Sequence, residues 1–289
     1  MKTAYIIDST ADLREEYRDH PDVYVVNLSV IFENGDEFVD TKDTNKVKQF
    51  YSRLKTEKVP PSTSQPTPNQ FYELLEEIIE KGYTDVIGIL LSKKLSGTFQ
   101  TCSMIFDEFE DKINTYLVNS SSTSYVIGSI VEQAMNMLEA GVSHKEVVDN
   151  LEWVANNQDT YLTVRDLKNL VKGGRLGATS AAIGTLLKIR PIMMFDDELG
   201  VKLFDKIRTD KRVVKKLQDV LVEMTTKFKE KLDVVVIHGD DEPSAADLIE
   251  KFKEKYPSLN YQMFYLGPVL GVHGGYGCIG LAFIPRKDS

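Results

Sequence analysis

The sequence predicts an α/β fold in two lobes, and three observations carry that prediction. Short apolar runs alternate with helix-period segments along almost the whole chain. Asp85–Leu91 is a continuous apolar run and Asn114–Val118 repeats it, the pattern of strands buried on both faces of a parallel sheet. After Tyr161–Val164 the texture shifts to paired strands and longer amphipathic helices, a mixed α+β layer. A chain of 289 residues is long enough for two compact units. We divide it into an N-terminal α/β lobe, 1–160, and a C-terminal α+β lobe, 161–289.

Each element has its own signal. Thr3–Ile7 is a β-rich run ending at Asp8, and Asp22–Ser29 is a second. Asn34-Gly35, between Ile31-Phe32 and Phe38-Val39, signals a tight hairpin, because a type I′ turn needs two positive φ angles. Val47–Leu54 and Phe71–Ile79 have helical spacing, the latter with Phe71, Leu74, Leu75, Ile78 and Ile79 on one face. Helices follow the two parallel-type strands, near Ser124–Leu138 and Ser143–Ala155. In the second lobe Leu167, Leu170 and Val171 suggest a short helix stopped by Gly173-Gly174, and a small-residue helix is expected over Ala178–Leu187. Pro191–Phe195 and Val201–Lys206 read as strands around an acidic turn, and Lys211–Lys229 as a long amphipathic helix. Asp233–His238, Tyr261–Leu266 and Ile279–Ile284 are the remaining strands, with a helix at Ser244–Lys255.

Composition excludes several classes of function. Lys and Arg number 35 against 44 Asp and Glu, a net charge of −9, which is a poor basis for neutralising nucleic-acid phosphates. No stretch approaches the apolar length of a membrane span. The N-terminus reaches Asp8 before a signal-peptide core can form, so the expectation is a cytoplasmic protein. With only Cys102 and Cys278 there is no disulfide framework and no Cys-rich zinc site. His20 and His144 sit among polar residues and read as solvated surface.

The enzymatic motifs fail one by one. There is no phosphate loop, nucleophile elbow or His-Glu-x-x-His helix. Gly275-Tyr-Gly277-Cys-Ile-Gly280 matches a dinucleotide fingerprint by letters, but it precedes a strand and the chain's end instead of opening a helix. His238-Gly-Asp240-Asp241-Glu242 could offer carboxylates to a metal, yet it reads better as a strand end whose acids favour the next helix N-terminus. Asp8-Ser9-Thr10-Ala11-Asp12 places an Asp where aspartyl phosphotransferases carry a nucleophile, while Ser9 with Asp12 also fits a capping box. What does accumulate is hydroxyls in loops. Thr63-Ser64-Gln65, Ser96-Gly97-Thr98 and Asn119–Ser124 each precede or follow a regular element, and Arg175, Arg208 and His273 lie on Gly-rich or strand-end segments. Together they suggest a site for a small anion, a carboxylate or phosphate, held by neutral hydroxyls near cations.

These segments occur in an order that resembles the DegV family. Asp8-Ser-Thr, Thr63-Ser64-Gln65-Pro66, Leu95-Ser96-Gly97-Thr98 and Lys172-Gly-Gly-Arg175 carry the resemblance, with Ala182–Pro191, Arg208-Thr209 and His273–Gly277 behind them. It spans essentially the whole chain and implies a two-lobed DegV-like fold with a fatty acid between the lobes. It also implies a non-catalytic lipid-carrying subunit, whose bound carboxylate is phosphorylated by a separate ATP-binding kinase subunit to feed phospholipid synthesis. No cofactor and no metal are implied. By position, Thr63, Ser96 and His273 match the carboxylate-binding residues, with Ser64, Gly97 and Gly274 in the head-group loops. Arg175 and Arg208 match arginines that couple to the kinase. The family usually has His-Thr-Gly-Pro-Gly where this chain has His273-Gly274-Gly275-Tyr276-Gly277, and Asp where it has Asn119. The basic run Lys206, Arg208, Lys211, Arg212, Lys215 and Lys216 is a solvated helix face that could also meet an acidic partner. The lipid carrier is the preferred reading. A self-sufficient phosphotransferase or phosphohydrolase using Asp8, Asp12 and Asp240–Glu242, or a module sensing a small acid, are the alternatives.

Overall fold

The computed structural model describes residues 2–165, 167–176 and 189–287. The helix expected over Ala178–Leu187 lies outside them. Strands β1 (Thr3–Asp8), β2 (Val23–Val26), β6 (Asp85–Leu90) and β7 (Asn114–Asn119) form a sheet in the order β2-β1-β6-β7, with every pairing parallel. β6 is buried at every position, which is why its sequence is apolar without alternation. A second sheet, ordered β10-β9-β8-β13-β11-β12, consists of β8 (Asp159–Thr163), β9 (Arg190–Asp196), β10 (Gly200–Ile207), β11 (Leu232–His238), β12 (Asn260–Tyr265) and β13 (Ile279–Pro285). Only β11 and β12 run parallel there, so this layer is mixed, as its hairpin-like spacing predicts.

Helices fill three layers around these sheets. α3 (Pro68–Glu80) and α4 (Thr98–Phe109) cover the outer face of the first sheet, burying Phe71, Leu75, Ile105 and Phe106 against Ile6 and Val86. α5 (Tyr125–Glu139) and α6 (His144–Asn157) lie between the sheets. Their residues Val126, Ile130 and Leu151 share one core with Ile7 and Ile87 of the first sheet and Val235 and Ala282 of the second. α6 begins with a complete capping box, Ser143 with Glu146, which satisfies two of the N–H groups that a helix start leaves free. α8 (Asp210–Phe228) and α9 (Glu242–Lys253) cover the far face of the second sheet through Leu217, Leu221 and Phe252. Among the described residues no helix is long and apolar enough to cross a membrane.

A small antiparallel sheet, β4-β3-β5, projects from the first lobe: β3 (Ser29–Ile31), β4 (Glu37–Val39) and β5 (Ser62–Ser64). It packs with α2 (Thr44–Leu54) and α10 (Pro268–Gly274), a short helix absent from the sequence expectation. The β3–β4 hairpin is looser than a type I′ turn. Ile31 pairs with Glu37, only Gly35 has positive φ (87°), and Phe32 uses the wider loop to reach the core. The expected capping box at Ser9 is also absent. α1 (Glu15–Arg18) starts with Arg14 as its cap residue, and Ser9 Oγ instead donates to Asp40 Oδ2 at 3.0 Å while accepting from Leu28 N at 3.1 Å. His144 is not solvated either: Nε2 bonds Thr3 Oγ1 at 2.9 Å and the ring stacks on Tyr116.

Asp8 joins the carboxyl ends of the first sheet's two central strands. Its buried carboxylate accepts from Thr10 N (3.0 Å), Thr10 Oγ1 (2.5 Å) and Leu91 N (2.7 Å), tying the ends of β1 and β6. Burial raises its pKa, and those hydrogen bonds with the Lys42 charge pull it back. Truncation leaves two buried N–H groups unpaired. Asp8→Ala should therefore lower the unfolding free energy by about 2–4 kcal/mol in urea titration, with Asp8→Asn losing less. An unchanged midpoint for Asp8→Ala would show that the clamp carries no stability.

Candidate functional site

Between the lobes lies a cavity of about 370 Å³. Its wall is largely aliphatic, with Leu28 and Leu91 from the first lobe, Leu162, Val201 and Ile237 from the second sheet, and Leu266 with Val269 and Leu270 around α10. A polar patch interrupts it. Strand alternation turns Thr63 of β5 inward and leaves Ser62 and Ser64 exposed, although Ser64 still borders the cavity. Thr63 Oγ1 lies 3.0 Å from His273 Nε2, a hydrogen bond that joins β5 to α10. Ser96 sits in the loop entering α4, where its Oγ accepts from Thr98 N at 3.3 Å and meets Thr98 Oγ1 at 2.8 Å. Gly97 is packed against Gln65: a Cβ there would lie 2.1 Å from Gln65 Oε1.

Arg175 completes the patch. Its guanidinium borders the cavity and donates to Leu95 O (3.0 Å) and Gly173 O (2.6 Å). Gly173 in turn lies against His273, where an added Cβ would stand 2.3 Å from Nδ1. Burial, with the Arg175 cation beside it, holds the His273 imidazole well below its ordinary pKa, at about 4, so the ring is neutral at pH 7. With its proton on Nε2, the ring donates to Thr63 Oγ1 and leaves the threonine proton free for an acceptor in the cavity. Nδ1 is then the buried ring nitrogen that has no partner among the described residues. Among the described residues the patch thus offers hydroxyl donors and, in Arg175, one fixed cation, a set suited to a carboxylate or phosphate.

Elements behind the wall hold this arrangement. Asp40 is 4% exposed, and its Oδ1 accepts from Val269 N at 3.0 Å, at the start of the helix that carries His273. Lys42 bonds Asp12 Oδ1 at 2.7 Å, and Ser124 Oγ donates to Asp12 Oδ2. Ser124 has φ 59° and lines the cavity with Thr123 and Thr160, so the hydroxyl-rich third loop does reach the site. Asn119 stands behind it, accepting from Lys93 N at 3.1 Å and donating to Ser121 Oγ at 3.1 Å. The other expected residues fall elsewhere. Arg208 is exposed on the bend before α8 and does not line the cavity. Asp240 pairs with Lys55 (2.8 Å) and Tyr265 Oη (2.5 Å), and Asp241, at the cap position of α9, pairs with Arg165 (2.8 Å). Among the described residues no group of three or more His, Cys, Asp and Glu side chains is placed to hold a metal ion. Sequence reasoning missed α10 and Asp40. The pair Gly267-Pro268, a stop followed by proline at the first helical position, was the available signal for the helix.

Residues 2–286 match the family model described as "Uncharacterised protein, DegV family". The chain belongs to the DegV family. A DegV domain-containing protein of Listeria innocua is 34% identical over 282 residues, 98% of this chain and 98% of that one. A fatty acid binding DegV family protein from Streptococcus agalactiae superposes with a TM-score of 0.90 at 29% identity, covering 99% of this chain and 100% of its own. DegV from Bacillus subtilis, a fatty acid binding protein, gives 0.87 at 32% identity over 99% and 100%. The two-lobed arrangement is thus the DegV fold. Position 274 has no room for a side chain as this chain is packed, because a Cβ there would lie 2.8 Å from Cys278 Sγ.

His273 gives a direct check of the site's electrostatics. Its imidazole should titrate near pH 4 by NMR in this DegV protein, below the ordinary value of 6.5. The stability carried by its neutral form is present above pH 6.5 and is lost as pH falls towards 4. Arg175→Met removes the repelling cation and should raise the midpoint. A wild-type midpoint near 6.5 would mean that the ring is solvated.

Proposed function

We propose that this DegV protein binds a long-chain fatty acid in the cavity and presents its carboxylate to a separate ATP-dependent kinase subunit, which forms the acyl phosphate for phospholipid synthesis. The observation that carries the reading is the pairing of an aliphatic cavity of about 370 Å³ with one polar patch of Thr63, Ser96, His273 and Arg175. Each methylene taken from water gains roughly 0.8 kcal/mol, so a sixteen-carbon tail contributes about 10–12 kcal/mol before ordering costs. Tail burial therefore supplies the affinity. The patch keeps the carboxylate from being buried without partners, which would cost several kcal/mol. Thr63 and Ser96 donate hydroxyl protons, neutral His273 orients Thr63, and Ser64, Gly97 and Gly274 shape the surrounding loops. Neutral donors leave the carboxylate more nucleophilic than a direct ion pair would. On this reading the chain acts as carrier, working in the cytoplasm without a cofactor of its own, and the partner supplies ATP.

The kinase-facing role falls to Arg175, at the cavity wall, and to Arg208, on the exposed bend that leads into the basic first turns of α8. The alternative phosphotransferase reading has less support. Asp8 is tied up by three donors within the first sheet, while Asp240 and Asp241 are paired with Lys55 and Arg165.

Organic extraction of the purified protein followed by mass spectrometry should yield one fatty acid per chain. Empty protein that transfers or hydrolyses phosphate alone would instead support the enzyme. Thr63→Ala with Ser96→Ala should weaken fatty-acid retention by about a hundredfold or more, two charge-assisted hydrogen bonds being lost. Wild-type retention by the double variant would remove both residues from the head-group site. Reversing Lys211, Arg212 and Lys215 to Glu should lower kinase-coupled turnover while bound lipid stays at the wild-type level. Unchanged turnover would take α8 out of the partner surface.

A further inference from the structure

Three of the glycines bordering the cavity are Gly97, Gly274 and Gly280. Two have a steric reason to be glycine, since a Cβ would meet Gln65 Oε1 at 2.1 Å or Cys278 Sγ at 2.8 Å. Gly280 has none. The nearest atoms to a Cβ built there all belong to Ile237, at 3.5, 3.6 and 3.8 Å, which are ordinary contact distances. Its backbone makes no demand either, for Gly280 is not among the residues with positive φ. It sits inside β13, paired with Leu162 of β8 on one side and Ile237 of β11 on the other. Glycine weakens a strand at such a position, having no side chain to pack and more backbone freedom to lose. Alternation along β13 sends Leu281 into the α8–α9 core and leaves Gly280 on the opposite, cavity face with Leu162 and Ile237.

We infer that Gly280 sets the depth of the acyl cavity, its missing side chain keeping the floor between Leu162 and Ile237 open to the distal part of the bound chain. The inference rests on the fatty-acid reading above. The patch of Thr63, Ser96, Arg175 and His273 comes from β5, the loop before α4, the 173–175 turn and α10, and the hydroxyl that β8 brings to the wall, Thr160, is already bonded to Ser122 and Gln158. The floor therefore belongs to the tail and should act on chain length, leaving carboxylate recognition unchanged.

The test titrates delipidated wild type, Gly280→Ala and Gly280→Val with dodecanoic and octadecanoic acid. Each methylene displaced from the cavity is worth about fourfold in affinity. Gly280→Val should bind octadecanoic acid about tenfold or more weakly while holding dodecanoic acid within about twofold of wild type. Gly280→Ala should shift the same way by about fourfold, with a melting temperature no lower than wild type, because its Cβ makes only ordinary contacts. Should Gly280→Val fail to fold, the alanine titration decides. Equal weakening of both acids, or an unshifted preference, overturns the assignment of Gly280 while leaving the fatty-acid reading intact. A wild type that binds neither acid overturns both.

Discussion

A single buried carboxylate fixes where one wall of the cavity stands. α10 is only seven residues long, too short to persist by its own hydrogen bonds, so its direction must be imposed from outside. Asp40 imposes it, accepting from Val269 N in the helix's first turn and from Ser9 Oγ in the loop after β1. The helix dipole and the carboxylate are then aligned favourably. Burial raises the Asp40 pKa to about 6, with Lys42, Val269 and Ser9 pulling the other way. Ionising it therefore costs the fold some stability as pH rises towards 6, and the return is a helix that holds Val269, Leu270 and His273 at the cavity.

The rest of the architecture follows from placing α5 and α6 between two sheets. One hydrophobic core runs from Ile7 and Ile87 through Val126 and Ile130 to Val235 and Ala282, so the lobes share a core. The cavity opens beside this shared core, where the loops at the carboxyl ends of β2, β6 and β7 meet the face of the second sheet and the loop after β1 backs them through Ser9 and Asp12. Open α/β sheets bind ligands at that end because loops there are free to vary while the strands stay fixed. Asp8, clamped to Leu91, keeps two of those loops in register and supports a site in which it takes no direct part.

Much of this was legible in the residues. β6 announces itself as a buried parallel strand, while β7, expected to be buried in the same way, is the sheet's edge strand with Val118 as its buried residue; Ser143 and Glu146 spell out the start of α6, and Gly173-Gly174 closes α7 (Lys168–Lys172). Thr63, Ser96 and His273 were matched to head-group positions through the family resemblance, and all three line one cavity. What the residues hid is long-range. Ser9 looks like a helix cap until Asp40, 31 residues on, takes its proton. His144 looks like surface because its partner Thr3 is 141 residues away. The cation at the patch was visible as Arg175, but its anchoring to Leu95 O, 80 residues earlier, depends on packing that no local pattern encodes.

The packing of Cys278 constrains substitution at its neighbours. Its sulfur is wedged between two backbones, so that a Cβ on Gly239 would lie 2.7 Å from it and one on Gly274 2.8 Å. A side chain at position 274 would compete with the Cys278 thiol for the same space, so a substitution there needs position 278 to shift or change with it. The two positions are therefore sterically coupled, and what the head-group loop can carry at 274 depends on a residue in the strand-entry turn behind it.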